Sequence, residues 1–409
     1  MAEDPRIDGA RLSRRLEELG QVGAIAGGGV ARLALTDADK AGRDLVVRWM
    51  KELGLAVTVD AIGNGVGVRQ GREDGPPVMM GSHIDTVATG GRYDGNLGVL
   101  GGLEVIQALN QAGVVTRRPL AVAFFTDEEG SRFQPDMMGS LVFTGALPLE
   151  QALGTAGIDG KRVGDELRRI GYSGPAPVGR PSVHAYVELH IEQGPVLEAE
   201  GYTIGAVTGV QGISWTEVTL LGQSNHAGTT PMSMRHDAGL VAAEIATFAR
   251  RLAKEMGGHQ VATVGFLTLS PNLVNVVANR AVLTVDLRNT DEALLQEAER
   301  RVFAFAEQAA AQEGVKLSRR SLARFPPIAF DPVLVGRVEA LASELGHRVR
   351  RLPSGAGHDA GILAAVCPAC MIFVPSARGV SHNVEEHTAP ADLAAGAEVL
   401  LRLVRELAA

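Results

Sequence analysis

The run YVELHIEQGP, residues 186–195, places a histidine between two carboxylates in a strand-like stretch. Because successive side chains of a strand point to opposite faces, Glu188, His190 and Glu192 are predicted to share one face. Imidazole nitrogens and carboxylate oxygens are common metal ligands, so this face could hold a metal ion. A solvated edge strand would show the same alternation, and the run alone does not decide between the two.

A second stretch, GSHIDTVATGGRYDGNLGV, offers three further candidate residues. His83 ends an apolar run, and functional side chains gather at the carboxyl ends of strands in an open α/β sheet. Asp85 can hold the other imidazole nitrogen of His83, which is how metal-ligating histidines are fixed. Asp94 precedes Gly95, and a glycine leaves the backbone free to turn the carboxylate back toward the site.

Three consecutive carboxylates follow a buried-type strand in AVAFFTDEEGSRF. Asp127, Glu128 and Glu129 would repel one another unless a cation lies between them, although an exposed acidic turn has the same composition. Adjacent side chains point in different directions, so Glu129 can bind a metal while Glu128 faces a substrate. His382 follows a last probable strand in VPSARGVSHNVEEHT. Together these strand ends offer the nitrogen and carboxylate ligands of a two-metal site.

The elements that must position these residues change in character along the chain. TDADKAGRDLVVRWMKELG opens with a capping box, Thr36 and Asp39, and predicts a helix. Apolar strands alternating with helices predict an α/β domain with a largely parallel sheet. A β-α-β-β-α-β order then indicates a ferredoxin-like unit. We therefore predict a discontinuous α/β domain, residues 1–212 and 327–409, with a ferredoxin-like α+β domain inserted at 213–326.

Composition narrows the class of protein. The 409 residues are 45% hydrophobic and 21% charged, as in soluble globular proteins, and allow two domains. The net charge of -8 argues against a nucleic-acid partner. Neither an 18-residue apolar run nor a signal-peptide core is visible, so we expect a cytoplasmic protein with no membrane partner. Cys367 and Cys370 lie between a helical stretch and a strand, unlike a redox motif, and are predicted to be buried, inert thiols.

The motifs as a group resemble those of the aminoacylase-like dinuclear metallopeptidase superfamily. This resemblance rests on G-S-H-x-D-T, D-G-x-x-G-V, E-E-G and S-H-N. H-I-E-Q-G-P, G-Q-x-N-H-A-G-T-T-P-M and S-G-A-G-H-D narrow it to the hydantoinase/carbamoylase-type amidases, which act on ureido compounds. The likeness runs from about residue 20 to the C-terminus. Peptidases of the superfamily usually have a carboxylate where His190 stands.

The resemblance implies a zinc-peptidase-like catalytic domain, with the inserted domain acting as a lid and forming a homodimer. It implies two divalent metal ions per subunit, zinc or else manganese, cobalt or nickel, bridged by Asp94. The implied metal ligands are His83, Asp94, Glu129, His190 and His382. Glu128 would be the general base, and Asp85 would orient His83.

The resemblance also implies how a substrate is held. Gln193 would reach a carbamoyl group, and Asn275, Arg288 and Gly355 would hold a carboxylate. His226 would complete the active site of the partner subunit. Without the resemblance, Arg288 is typical of a solvated strand end and the loop of His226 is typical of a surface loop.

The activity implied by the resemblance is removal of the carbamoyl group of N-carbamoyl-L-amino acids, which gives the amino acid, ammonia and carbon dioxide. Allantoate and β-ureidopropionate are alternative substrates, because each presents a ureido group and a carboxylate. A dipeptidase or aminoacylase is disfavoured by His190. A non-catalytic metal-binding protein is disfavoured by Glu128.

Overall fold

The computed structural model describes residues 4–179 and 182–409, and the chain forms two compact units. The first unit runs to Thr208 and resumes at Phe330, and the second is Gly209–Ala329. The second unit is a few residues longer at each end than the predicted insertion, 213–326. The reason is a short strand at its end, Ile328–Ala329, whose residues pair with Gly209 and Val210. None of the helices in the described residues is both long and apolar enough to span a membrane.

The first unit begins with thirteen helices and strands. In chain order they are α1 (Gly9–Gln21), α2 (Asp37–Glu52), β1 (Ala56–Val59), β2 (Gly65–Arg69), β3 (Val78–His83), α3 (Asn96–Gln111), β4 (Leu120–Phe125), α4 (Met138–Thr144), α5 (Leu149–Gly154), α6 (Val163–Ile170), β5 (Ala185–Ile191), α7 (Val196–Glu200) and β6 (Ile204–Val210).

The second unit and the remainder of the first unit follow. The second unit contains β7 (Gly212–Leu221), a 3₁₀ turn (Met232–Met234), α8 (Ala238–Met256), β8 (Val261–Thr263), β9 (Leu267–Ser270), β10 (Arg280–Asn289), α9 (Glu292–Glu313), β11 (Lys316–Phe325) and β12 (Ile328–Ala329). The first unit then resumes with α10 (Pro332–Glu344), β13 (Val349–Ser354), α11 (Asp359–Leu363), β14 (Ala369–Val374), a 3₁₀ turn (Ala377–Gly379) and α12 (Pro390–Leu407).

The sheet of the first unit has the order β1-β2-β4-β3-β5-β14-β6, with β13 also pairing with β6. Its four central strands, β4, β3, β5 and β14, are parallel, and β1, β2 and β6 are antiparallel to their neighbours. Every residue of these four central strands is buried, which explains their continuous apolar runs. The predicted α/β domain is confirmed, but its sheet is mixed, with parallel pairing only among the central strands.

Local signals in the sequence account for several element boundaries. The hydroxyl oxygen of Thr36 accepts the N–H of Asp39 at 3.2 Å, and the Asp39 carboxylate accepts the N–H of Leu35 at 2.7 Å, so the predicted helix start is confirmed. α3 and α12 pack against the central strands and against each other, with α1 beside them. These helices cover one face of the central strands.

The second unit follows the β-α-β-β-α-β order read from the sequence except that three strands, β8, β9 and β10, lie between its helices and the short β12 follows β11. Its sheet has the order β11-β7-β10, and the outer edge of β10 pairs with β8 and β9. The stretch predicted as one strand over 261–270 is therefore two short strands. α8 and α9 pack together and contribute to a buried core with Leu220, Leu283 and Val285 from the sheet.

Two local predictions have clear outcomes. Strand β5 ends at Ile191, so Glu192 does not share a strand face with His190; its carboxylate instead accepts the N–H groups of Val196 and Leu197 at the start of α7. The two thiols are buried and free, as predicted. Burial raises the pKa of Cys367 to about 11, which keeps this thiol protonated near neutral pH.

Candidate metal centre

The predicted ligands of the first unit meet at the carboxyl ends of its parallel strands. His83 is the last residue of β3, and His190 is the last residue but one of β5. Glu129 follows β4, Asp94 lies just before α3, and His382 lies in the loop after β14. Parallel strands present their carboxyl ends at one edge of a sheet, and this is why residues so far apart in sequence come together.

The two oxygens of Asp94 face two different groups of side chains. Oδ1 lies 3.2 Å from Nε2 of His190 and 3.7 Å from Nε2 of His83. Oδ2 lies 3.2 Å from Nε2 of His382, and that nitrogen lies 3.3 Å from Oε2 of Glu129. Within each group the potential ligand atoms all lie within 4.8 Å of one another. A carboxylate placed in this way can bridge two metal ions.

Main-chain carbonyl groups orient two of the imidazoles. Nδ1 of His83 lies 2.9 Å from the carbonyl oxygen of Asp85, and Nδ1 of His190 lies 2.8 Å from the carbonyl oxygen of Ile191. A carbonyl oxygen can only accept, so each Nδ1 carries a hydrogen, and in the neutral imidazole Nε2 keeps its lone pair. Both Nε2 atoms face Asp94, as metal ligation requires, and that of His190 also accepts the N–H of Gly95 at 3.3 Å.

The role predicted for the Asp85 side chain needs a correction. Its carboxylate oxygen is 3.9 Å from Nδ1 of His83, too far for a hydrogen bond, and the carbonyl group of Asp85 makes the contact instead. The carboxylate accepts the N–H groups of Glu128 and Glu129, each at 3.3 Å. Asp85 therefore fixes both the histidine and the main chain of the acidic pair.

Gly95 permits the close approach of His83 to Asp94. Its backbone has φ +65°, and a Cβ atom at this position would lie 2.4 Å from the His83 ring. No side-chain carbon can be accommodated at that distance. The sequence indicated that Gly95 lets the backbone turn beside Asp94. The structure shows that it also leaves space for the imidazole of His83.

Glu128 and Glu129 reach different parts of the centre. Oε2 of Glu128 lies 3.4 Å from Nε2 of His83, whereas Glu129 approaches His382. The carboxylate of Asp127 is buried and belongs to neither ligand group among the described residues. The three consecutive acidic side chains therefore do not form the exposed acidic turn considered from the sequence. They are directed to different surroundings.

The electrostatics of the centre favour a bound cation. Burial raises the pKa of Glu129 to about 8, and the hydrogen bond with Asp94 raises the pKa of His382 to about 9. Burial also raises the pKa of Glu128 well above its usual value. Crowded carboxylates of this kind take up either protons or metal ions. With nitrogen and oxygen donors in both groups, the residues present fit two divalent ions.

A cavity opens onto this centre within the first unit. It is lined by Asp94, Glu128, Glu129, Asp136, Met137, Gln193, Ala356, Gly357, His358 and His382. Gln193 has a left-handed backbone, φ +58°, and its Nε2 donates to Oδ2 of Asp94 at 2.8 Å. Gly355 is an exposed residue of the same loop as Ala356 and Gly357, directly after β13.

The other predicted site residues lie in the second unit. His226 is exposed, and the N–H of the next residue, Ala227, donates to the carbonyl oxygen of Asn275 at 2.9 Å. His226 and Asn275 therefore lie on neighbouring segments. Arg288, near the end of β10, pairs with Asp286 at 3.0 Å and lies over the ring of Trp215.

The sequence placed His358 in the wall formed by S-G-A-G-H-D without assigning it a role, and it did not predict Ser381 or Glu386 at the metal centre. Nε2 of His358 lies 2.8 Å from Oγ of Ser354, and its ring packs edge-on against that of His190. Ser381 and Glu386, from the loop of His382, contact Asp94. The signal for the last two was their position in VSHNVEEH, beside a predicted ligand, but nothing in that run shows which of its polar side chains is buried.

Known proteins of one family are similar to this chain over most of its length. The profile of Peptidase family M20/M25/M40 matches residues 79–406. The N-carbamoyl-L-amino-acid amidohydrolase of Rhizobium meliloti is 44% identical, covering 99% of this chain and 98% of its own. The ureidoglycolate hydrolase of Arabidopsis thaliana is 35% identical, covering 98% and 87%. A hydantoinase/carbamoylase family amidase from Burkholderia multivorans has a similar crystal structure, with a TM-score of 0.97, 47% identity and coverage of 99% and 98%.

Fold and site thus define a hydrolase with an α/β scaffold and a histidine–carboxylate centre at the carboxyl ends of its parallel strands. The chain belongs to the M20/M25/M40 peptidase family, within which its relatives are hydantoinase/carbamoylase-type amidases. The resemblance read from the motifs is confirmed, and the chain is an enzyme that hydrolyses linear amide C–N bonds.

Proposed function

We propose that this enzyme removes the carbamoyl group of N-carbamoyl-L-amino acids and releases the L-amino acid, ammonia and carbon dioxide. The observation that carries this proposal is the carboxylate of Asp94, whose two oxygens face separate histidine-containing groups beside Glu128. A ureido carbonyl resists attack because both nitrogens delocalise into it, so a strong nucleophile is required. The activity named for the Rhizobium meliloti relative supports the substrate class.

Two divalent ions, zinc or else manganese, cobalt or nickel, would be held by two sets of residues that share Asp94. His83 and His190 complete one set, and Glu129 and His382 complete the other. When bound, such ions activate water as a nucleophile near neutral pH and polarise the carbonyl group under attack.

Glu128 acts as the general base in this proposal. It lines the cavity and reaches His83 rather than the second group, so its carboxylate is free to take a proton from the attacking water. It then delivers the proton to the leaving nitrogen. The main-chain N–H of Glu128 donates to the carboxylate of Asp85, and this contact holds Glu128 in position. Gln193, which already donates to Asp94, binds the carbamoyl group.

Substrate recognition in this proposal involves Asn275, Arg288 and Gly355, which hold the carboxylate of the substrate. The planar guanidinium of Arg288 can form two parallel hydrogen bonds with a carboxylate. In the proposed complex it exchanges its contact with Asp286 for one with the substrate. The support for these three assignments is the match of their motifs with the hydantoinase/carbamoylase-type amidases.

The second unit is proposed to be a ferredoxin-like lid that forms a homodimer, with His226 completing the partner's active site. Two features of the unit support a protein interface. Its edge strand β11 is largely exposed, and Met232, Leu273 and Val274 are apolar side chains with more than half their surface in solvent. Exposed apolar surface of this kind often marks an interaction site.

A second substrate class consists of other ureido carboxylates, such as allantoate and β-ureidopropionate. The relative named ureidoglycolate hydrolase favours this alternative. The same metal centre would serve either class, so the choice depends on the residues that contact the rest of the substrate.

Ammonia release distinguishes the ureido substrates, and release of free amino acids reports cleavage of dipeptides, which yields no ammonia. The purified enzyme is stripped with a chelator, reloaded with one metal at a time, and assayed with N-carbamoyl-L-amino acids, β-ureidopropionate, allantoate and dipeptides. We expect turnover of N-carbamoyl-L-amino acids that is lost with the metal and restored by its addition. Full activity in protein shown to be metal-free by elemental analysis would contradict the proposal. Preferential release from allantoate would move the enzyme to the second class.

A further inference from the structure

Glu386 is a buried carboxylate that connects the loop of His382 with the main chain of Asp94. Its Oε1 accepts the N–H groups of both Tyr93 and Asp94, at 3.0 and 3.1 Å. Its Oε2 accepts the hydroxyl group of Ser381 at 2.9 Å. Asp94 and Glu386 are 292 positions apart in sequence, and the Glu386 side chain holds the backbone of Asp94 in place.

The hydroxyl group of Ser381 lies between two carboxylates. Its oxygen is 2.9 Å from Oε2 of Glu386 and 3.2 Å from Oδ2 of Asp94. A serine hydroxyl has a single hydrogen, so it can donate to only one of these oxygens at a time. The shorter distance favours donation to Glu386.

The direction of this hydrogen bond matters because Oδ2 of Asp94 already has one donor. Nε2 of Gln193 donates to it at 2.8 Å. A carboxylate oxygen has about two lone-pair positions, so a second donor would fill both. While Ser381 donates to Glu386, the second position on Oδ2 is left to the side of Glu129 and His382, whose Nε2 lies 3.2 Å away.

We infer that Glu386 is a positioning residue that draws the Ser381 hydrogen away from Asp94 and so keeps Oδ2 of Asp94 available as a metal ligand. This inference rests on the two-metal centre proposed above and adds a role for two residues outside its ligand set. Glu386 acts on only one of the two metal positions, the one shared by Asp94, Glu129 and His382.

The substitution Glu386→Gln tests this inference with almost no change of shape. The two backbone N–H groups of Tyr93 and Asp94 require an oxygen in front of them, so the amide NH₂ group must take the position of Oε2. There it donates to Ser381, whose own hydrogen then turns to Oδ2 of Asp94. The substitution therefore reverses the hydrogen bond while leaving the backbone contacts in place.

The assay measures bound zinc per chain by elemental analysis after dialysis against buffers of graded free zinc. We expect wild-type protein to bind two zinc ions, and Glu386→Gln to bind one of them about 10- to 100-fold more weakly, the usual effect of losing a partner of a ligand. The other zinc should bind with wild-type affinity. The double variant Glu386→Gln, Ser381→Ala lacks the competing hydroxyl and should recover most of the lost affinity.

Glu104→Gln is the matched control. Glu104 is also a buried carboxylate and accepts the main-chain N–H of Asp8 at 2.9 Å, but it lies within α3 and contacts Arg11 instead of the metal centre. We expect this variant to bind both zinc ions as wild type does. Thermal unfolding of the metal-free proteins reports any general damage.

Several results would overturn the inference. Wild-type affinity for both ions in Glu386→Gln would show that the hydroxyl direction is irrelevant. A loss that persists in the double variant, affects both ions equally, or also occurs in Glu104→Gln would indicate a structural role. Wild-type protein that binds no zinc would overturn the proposed metal centre itself, and this inference with it.

Discussion

Gly95→Ala should inactivate the enzyme by displacing His83. A Cβ atom at residue 95 would lie 2.4 Å from Cε1 and Nε2 of the His83 ring, whereas ordinary contacts require about 3.5 Å. The ring must therefore move by about 1 Å, or Asp94 must move with the backbone. A shift of about 1 Å in a catalytic geometry can cost on the order of 10²-fold in rate. We expect kcat/KM to fall by at least this factor.

Part of the effect of Gly95→Ala comes from backbone strain, and a second glycine isolates that part. Gly113, just after α3, has φ +64°, nearly the same as the +65° of Gly95, but a Cβ atom there would meet nothing within 4 Å. A positive φ costs alanine about 1 to 2 kcal/mol. The ψ of -46° at Gly95 lies outside the left-handed helical region, so alanine is strained there by more than this amount. Gly113→Ala should therefore lower the free energy of unfolding by this amount and keep full activity.

The comparison uses three measurements on both variants. Ammonia release gives kcat/KM, elemental analysis gives bound metal, and chemical denaturation of the metal-free proteins gives the free energy of unfolding. Gly95→Ala should lose metal from the group that contains His83 and His190, and its rate should not recover when excess metal is added. If Gly95→Ala kept both metals and the wild-type kcat/KM, the requirement for space beside the His83 ring would be refuted.

Three further experiments test the proposed chemistry. Glu128→Gln should keep both metals but lose on the order of 10²-fold or more in kcat, as expected for a general base, and loss of a metal with an unchanged rate per metal would exchange its role with that of Glu129. Arg288→Lys keeps the charge but not the planar fork, so kcat/KM should fall sharply, and an unchanged value would indicate a structural arginine. His226→Ala and Glu128→Ala should each be inactive alone. If the enzyme forms the proposed homodimer, the two variants refolded together should regain about a quarter of wild-type activity, because about half of the dimers are mixed and each mixed dimer has one intact site. Mixed dimers without activity would mean that His226 serves its own subunit.

Much of the fold could be predicted because its signals are local. The buried central strands are continuous apolar runs, and α2 begins at the capping box of Thr36 and Asp39. The split between β8 and β9 was not predicted, although Gly265 lies at the interruption, because one glycine can also occur inside a continuous strand and the outcome depends on how each piece pairs with β10.

Positions within the candidate site were harder to predict. Glu192 follows the alternation of β5 in sequence, but the strand ends at Ile191 and the carboxylate caps α7 instead. Asp85 was predicted to hold His83 with its side chain, and the contact comes from its carbonyl group. In both cases the residue was correctly placed near the site, but its side-chain direction depends on a turn that periodicity does not describe.

The sequence by itself determined which chemical groups are available and at which strand ends they lie. Histidines and carboxylates follow apolar strands, and parallel strands bring their ends to one edge, so a shared site follows from local patterns alone. Only the tertiary structure decided that the two oxygens of Asp94 face different partners and that Glu386 reaches back to its main chain. These contacts join segments far apart in sequence over distances of about 3 Å. Such distances depend on packing of the whole unit, which no local run of residues specifies.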